Sequence, residues 1–322
     1  MTNGFDGGLP AALPCPIDAD GKRRLIGIEI EFAGLSASDA AAILARATGG
    51  RAFQTDDGWR CETPLFGTCD LSLDTAWRGT LATLGGTGVL DLAQSVVPVE
   101  LVTEPFDPKH LPAFDAALEA LRDAGAAGSR GSLMHCLGVH LNVDAASLNA
   151  PHIAAVARAY ALLEPLLRAD MGLDGPSQAL PFVDPYPEEL TDALTMDLGG
   201  GLAVLADLYL RHTRSQHHGL DLLPLLAHAL PDKVRDAVGY DENIAPRPAW
   251  HYRLPESRID EPGGSISREW HYWCMVEAVA KNPACLSALC RAWARYRAGG
   301  GERDWVTVSR SVLDAGQNAV AA

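Results

Sequence analysis

From Leu25 to Phe32 apolar and polar residues alternate strictly, with Ile26, Ile28, Ile30 and Phe32 on one side and Gly27, Glu29 and Glu31 on the other. A period of two over this length predicts a half-buried strand. Ser36 with Asp39 three residues on starts a helix in the manner of a capping box, and Gly49-Gly50 stops it. Shorter strands are predicted at Ala52–Gln54 and Leu65–Asp74, where Asp70, Ser72 and Asp74 share a face, followed by a helix over Thr75–Gly85. Val96–Thr103 is rich in β-branched residues and reads as another strand. Leu111, Phe114, Leu118 and Leu121 fall at helical spacing, and Gly138–Val143 alternates again. After Pro151, residues 152–240 read as mostly helical, broken by a proline-rich loop at 175–187 and a turn at Gln216–Gly219. Trp250–Ile259 is extended, helices follow from Ser267 to Lys281 and from Pro283 to Arg297, and the tail after Gly299 is helical. Short strands joined by hairpins or single helices, then a helical block, predict an α+β fold with an antiparallel sheet.

Composition narrows the partners. The 322 residues carry a net charge of −15 at a sequence pI near 5.0, with 48% hydrophobic residues and mean hydropathy close to zero. An acidic globular chain lacks the cationic surface that displaces counterions from DNA or RNA, so nucleic acid is not an expected partner. A nucleotide remains compatible, because a metal ion or local arginines supply the positive charge. No apolar run is long enough for a membrane span. The Gly-, Pro- and Asp-rich residues 1–23 read as a loose leader without the features of a secretory signal, so a cytoplasmic location is expected. Seven scattered cysteines without a C-x-x-C pair read as reduced, buried thiols. Leu198-Gly199-Gly200-Gly201 has no Lys-Ser/Thr after it and is read as a helix interruption. His217-His218 sits in a polar turn, open to metal binding but more simply a turn, and the tryptophans at 250, 270, 273 and 293 suit packing. No G-x-S-x-G elbow is present.

The chemistry concentrates on the strands. Glu29 and Glu31 stand on one strand face, about 7 Å apart along the backbone. Adjacent carboxylates repel unless a cation or proton lies between them, and hard oxygen ligands suit Mg²⁺ or Mn²⁺. Such a pair also fits the solvated face of an edge strand. Glu100 and Glu104 share a face of the third long strand, with Glu104 at its end before Pro105. His140 and Asn142 share a face beside Gly138, although a strand histidine is often a hydrogen-bonded core residue. In Arg253-Leu-Pro-Glu256-Ser-Arg258, Glu256 and Arg258 are predicted on one strand face, as a site or as a surface ion-pair ladder.

Taken in order, G-x-E-x-E-F at 27–32, a strand ending E-x-x-x-E-P at 100–105, G-x-H-x-N at 138–142 and R-x-x-E-x-R at 253–258 resemble the bacterial amidoligase family. That family is a divergent branch of the glutamine synthetase and glutamate–cysteine ligase superfamily. The resemblance spans about residues 24–280. It implies a curved antiparallel sheet of the glutamine synthetase-like catalytic type with a helical block packed on it, in one catalytic domain over 24–310 with a tail at 311–322. It also implies metal ligands at Glu29, Glu31, Glu104, His140 and Glu256, with Glu100 and Asp74 as less defined acidic positions. His140, Asn142 and Arg258 would contact the nucleotide, and Arg253 and Arg258 would neutralise the transferring phosphate. Where relatives carry a hydrophobic E-F-R, this chain has Glu256-Ser257-Arg258 after Pro255, which puts the late strand in doubt.

The implied activity is ATP- and Mg²⁺- (or Mn²⁺-) dependent joining of a small-molecule or peptide carboxylate to an amine through an acyl phosphate. A phosphotransferase on a small acceptor and a catalytically silent binding protein are the alternatives. A glycosidase using Glu29 and Glu31 fits less well, since its two carboxyl groups would flank the scissile bond.

Overall fold

A computed structural model describes residues 11–73, 97–129, 137–173, 183–196, 199–239, 244–299 and 304–321. The expected helix at Thr75–Gly85 with Asp74 before it, most of the 175–187 loop, and the start of the leader lie outside these residues. The chain divides into two compact units, the first formed mainly by residues 25–143 and 255–271, the second by 12–24, 144–254 and 272–322.

The first unit is built on strands β1 (Ile26–Phe32), β2 (Arg51–Gln54), β3 (Trp59–Thr63), β4 (Gly67–Leu73), β5 (Val99–Thr103) and β6 (Val139–Asp144), in the spatial order β2-β3-β4-β5-β1-β6. The ladders between them are antiparallel. One face is apolar and buried: Ile26, Ile28, Ile30 and Phe32 with Leu71, Val99, Leu101, Val139 and Leu141. Helices α1 (Ala37–Thr48) and α2 (Leu111–Asp123) pack on each other, and α1 covers β2, β3 and β4. Ser36 caps α1 by accepting from the Asp39 amide, and Gly49 ends it at φ 68°, a left-handed conformation that only glycine adopts freely. α2 buries Leu111, Phe114, Leu118 and Leu121, as its spacing predicts. Phe114 meets Phe66 edge-on at 5.2 Å, and Phe106 completes the cluster.

Two expectations change here. Strand β3 is absent from the sequence reading: Trp59-Arg-Cys-Glu-Thr carries two charges, and only its partners β2 and β4 make it a strand. The extended segment Trp250–Ile259 is a short strand followed by irregular chain, since Pro255 has no amide to donate. Glu256 makes an isolated bridge to Gly138, and Arg258 lies outside any strand, so the two do not share a strand face.

The second unit is mostly helical: α3 (Ala150–Met171), α4 (Glu188–Thr195), α5 (Leu202–His212), α6 (Leu223–Ala229), α7 (Pro231–Val238), the later turns of α8 (Ile266–Lys281), α9 (Pro283–Arg297) and α10 (Trp305–Ala321). Asn149 caps α3, with Pro151 in its first turn. Strands β7 (Leu220–Asp221) and β8 (Ala249–Tyr252) pair with Asp221 opposite His251. Gly201 is the N-cap of α5, and His218 is a buried structural histidine that bonds Thr213 Oγ1 at 2.6 Å and the Asp184 carbonyl at 3.1 Å. Trp250 and Trp273 are fully buried, their rings 6.0 Å apart and tilted by 46°, a packing role. Among the described residues no helix is long and apolar enough to cross a membrane, and the cysteines are free thiols.

His152, on α3 against Trp250, has its pKa lowered from 6.5, chiefly by burial. The Arg24 charge acts in the same direction and Glu277 opposes it. The folded protein therefore binds fewer protons here than the unfolded chain. Its contribution is complete above the unfolded value of 6.5 and is lost as pH falls towards the lower folded value. Urea titrations between pH 7.5 and 5.5 should show stability falling with pH, with a shallower slope in His152→Phe. An equal slope in both proteins would assign the pH dependence elsewhere.

Candidate functional site

The open face of the first unit's sheet presents three rows of side chains, each row running across the strands. Register defines the first: Ser72 of β4 is opposite Glu100 of β5, Glu100 is opposite Glu31 of β1, Glu31 donates its amide to the Gly138 carbonyl at 3.1 Å, and Gly138 bridges to Glu256. The second runs Asp70, Val102, Glu29, His140, and in the third Gly27 is opposite Asn142.

Charge is arranged differently along this face. Towards the β2 edge each acidic side chain meets an arginine across the ladder, Glu62 with Arg51 at 3.0 Å and Asp70 with Arg60 at 2.6 Å. At the centre, Glu31 is directly opposite a second carboxylate, Glu100, where cross-strand Cβ atoms are about 5 Å apart. Both are half-buried.

Hydrogen bonds fix the carboxylates beside this pair. Glu31 Oε2 accepts the Gly138 amide at 3.0 Å. Glu29 takes His140 Nδ1 on Oε2 at 2.7 Å and Asn142 Nδ2 on Oε1 at 2.8 Å. A carboxylate only accepts, so Nδ1 of His140 donates, and in the neutral ring Nε2 carries the lone pair. That nitrogen lies over Gly138, where a Cβ would come within 3.2 Å of it; the glycine makes room for the ring. Glu256 accepts from Arg258 Nη2 at a long 3.4 Å, and both side chains are about nine-tenths buried.

The first unit thus brings together Glu29, Glu31, His140, Asn142, Glu256 and Arg258. Glu104 is placed apart from the central row. Between Thr103 and Phe106 the chain carries one residue more than the facing stretch of β1, since Glu29 pairs with Val102 but Ile26 with Phe106. Glu104, four residues along from Glu100, continues the β4 ladder with its amide on the Thr68 carbonyl, and its exposed carboxylate accepts the Thr68 amide at 2.8 Å over Gly67. Glu100 is the acidic residue that register puts against Glu31. Arg253 belongs to the second unit, where its guanidinium bonds the Gln216 carbonyl.

Sequence reasoning missed Glu269, in the first turn of α8. It is 5% exposed, its Oε1 accepts from Arg268 Nε and Nη2 at 3.1 and 3.0 Å, and its Oε2 has no hydrogen-bond partner among the described residues. Burial pushes its carboxyl above the usual range, Arg268 and Arg258 pull it down, and Glu256 pushes it up. A charged residue at helical spacing in an amphipathic helix carries no signal of its own.

An antiparallel sheet with one apolar face covered by helices and one open face lined by opposed carboxylates, an oriented imidazole and an arginine defines an α+β protein with a polar sheet-face site. Residues 22–275 match the family model described as "Putative amidoligase enzyme", and the chain belongs to this bacterial amidoligase family, a family of ligases that form amide bonds. No curated protein and no solved structure matches the chain.

Proposed function

We propose that this amidoligase is an ATP- and Mg²⁺-dependent carboxylate–amine ligase of the glutamine synthetase-like type, acting on small-molecule or peptide substrates. The observation that carries the reading is the direct opposition of Glu31 and Glu100, with Glu256 in the same row and Glu29 in the next. A row of carboxylates on one sheet face offers a divalent ion several negative oxygens at once, and a bound ion is then the largest local charge. The donor set of several carboxylates and one imidazole suits Mg²⁺ or Mn²⁺.

Glu29, Glu31, Glu100 and Glu256 would hold the metal, with Nε2 of a neutral His140 as a further ligand. Bound Mg-ATP supplies the phosphoryl group that turns an unreactive carboxylate into an acyl phosphate. Arg258 offers planar, paired donors to phosphate oxygens, a geometry lysine lacks. Asn142 and the Gly138 amide hold Glu29 and Glu31 in place, so that both face the same side of the sheet. Preorganised charge of this kind is what phosphoryl transfer requires of a protein.

Incubation with Mg-ATP and pairs of carboxylates and amines should release ADP together with a condensed product seen by mass spectrometry. ADP with a stable phosphorylated acceptor would select a phosphotransferase, and no heat on calorimetric titration with Mg-ATP a silent binding protein. Asn142→Ala, which removes the donor on Glu29 Oε1, should weaken Mg²⁺ affinity about 10–100-fold, the usual scale for a residue that orients a ligand. Unchanged affinity would remove Glu29 from the metal site.

A further inference from the structure

Asn142 holds Glu29 with one end of its amide, and the other end has no partner to account for it. A carboxylate accepts and does not donate, so the side-chain nitrogen faces Glu29 Oε1, at 2.8 Å, and Oδ1 faces away. Oδ1 is buried and accepts no hydrogen bond among the described residues. An acceptor in that state has lost its hydration with nothing in return, and a donor on a ligand would relieve it. Phosphate oxygens are themselves acceptors and cannot supply that donor. The group that fits must carry N–H or O–H.

The neighbouring positions narrow it further. Gly27 stands directly opposite Asn142 across β1 and β6, so β1 sends no side chain over this spot. A Cβ on Gly27 would meet nothing closer than 3.5 Å among the described residues, and its nearest neighbours are Asn142 and the Thr103 carbonyl in the strands on either side. One missing side chain leaves room for a small head group such as an amine, and is too narrow for a purine ring. Glu29, next along the same face of β1, gives the spot a negative neighbour. Val102, opposite Glu29 on β5, is an apolar side chain 36% exposed on a face otherwise rich in charge. Diagonal neighbours in an antiparallel pair are about 7–8 Å apart, so a short alkyl chain spans from Gly27 to Val102. We propose that the slot over Gly27 takes the amine substrate, and that this amine is primary and aliphatic. Its N–H donates to Asn142 Oδ1, its head lies beside Glu29, and its alkyl chain rests on Val102. The inference rests on the ligase reading above, whose amine it specifies.

Calorimetric titration of the full chain with n-butylammonium and with n-butyltrimethylammonium, at one ionic strength, separates hydrogen bonding from charge. Both ions carry the same charge and chain, and only the first has N–H. The primary ion should bind about 10-fold tighter or more, the scale set by an unpaired buried acceptor. Gly27→Ala places a methyl group in the slot without a close contact to the adjacent strands, so the variant should melt as wild type does. It should weaken n-butylammonium about 10-fold and change the Kd for Mg-ATP by less than about twofold. Val102→Thr keeps the shape of the side chain and should reduce the preference for n-butylammonium over methylammonium. Equal affinity for the two butyl ions, no heat with n-butylammonium, or an unchanged chain-length preference in Val102→Thr would overturn the proposal. So would a Gly27→Ala variant weakened for Mg-ATP and unchanged for n-butylammonium, which would give Oδ1 to the adenine amino group. A wild-type chain that bound n-butylammonium but not Mg-ATP would overturn the ligase reading instead and leave the amine site standing.

Discussion

Glu31→Gln is expected to lower Mg-ATP-dependent turnover about 10²–10³-fold, the scale for removing a preorganised charge at a phosphoryl-transfer site. Glu31 stands opposite Glu100 in the carboxylate row, so the charge removed is one that would face the ion. Glutamine still offers an oxygen to the Gly138 amide that Glu31 now accepts. Wild-type protein should gain stability from Mg²⁺ in proportion to its binding, and the variant should gain less. Glu100→Gln should behave in the same way. Asp70→Asn is the control: Asp70 lies on the same face in an ion pair with Arg60 towards the β2 edge, and its loss should leave turnover unchanged. Differential scanning fluorimetry with and without Mg²⁺ measures the gain directly. If Glu31→Gln gained as much stability from Mg²⁺ as wild type, the pair would not be a cation site.

The largest expected loss of stability is at Glu277, in the second unit. Its carboxylate takes both ends of the Arg24 guanidinium, at 2.8 and 2.5 Å, and the Trp273 indole N–H at 3.0 Å. Arg24 is 1% exposed and also donates to the carbonyls of Asp144 and Cys15, so every side of the ion is met by protein. Glu277→Gln leaves the guanidinium buried without its counter-charge, and such a change costs about 3–5 kcal/mol. The double replacement Arg24→Met with Glu277→Leu removes both ions and should recover much of that loss, since a buried pair gains little over apolar residues of similar size. Equilibrium urea unfolding of the three variants measures this. A Glu277→Gln cost under 1 kcal/mol would mean that water reaches the pair.

Much of the first unit was legible because its signals are local. The alternation at 25–32 separates Glu29 and Glu31 from Ile28 and Ile30 whatever the neighbouring strands are, and the structure keeps that separation. The Ser36 cap, the Gly49 stop and the 3–4 spacing of α2 are likewise complete within a few residues. The order of the glutamate, histidine and arginine motifs along the chain also sufficed for the family. Strand β3 was not legible, since Trp59-Arg-Cys-Glu-Thr gains its conformation only from pairing on both sides.

The composition of the carboxylate row required the third dimension. On sequence, Glu104 is the preferred acidic position and Glu100, of the same parity, the less defined one. Strand pairing puts Glu100 against Glu31 and Glu104 against Thr68, whose amide it accepts. Arg253 and Arg258 look alike in R-x-x-E-x-R, yet they fall in different compact units. Glu269 and the Arg24–Glu277 pair have no sequence signature at all, their partners being set by helix packing. By itself, then, the sequence determined which side chains share a strand face and which chemistry that face carries, because a period of two is written in consecutive residues. Only the tertiary structure decided which carboxylates meet across strands, because register depends on bulges and pairings between segments far apart in the chain.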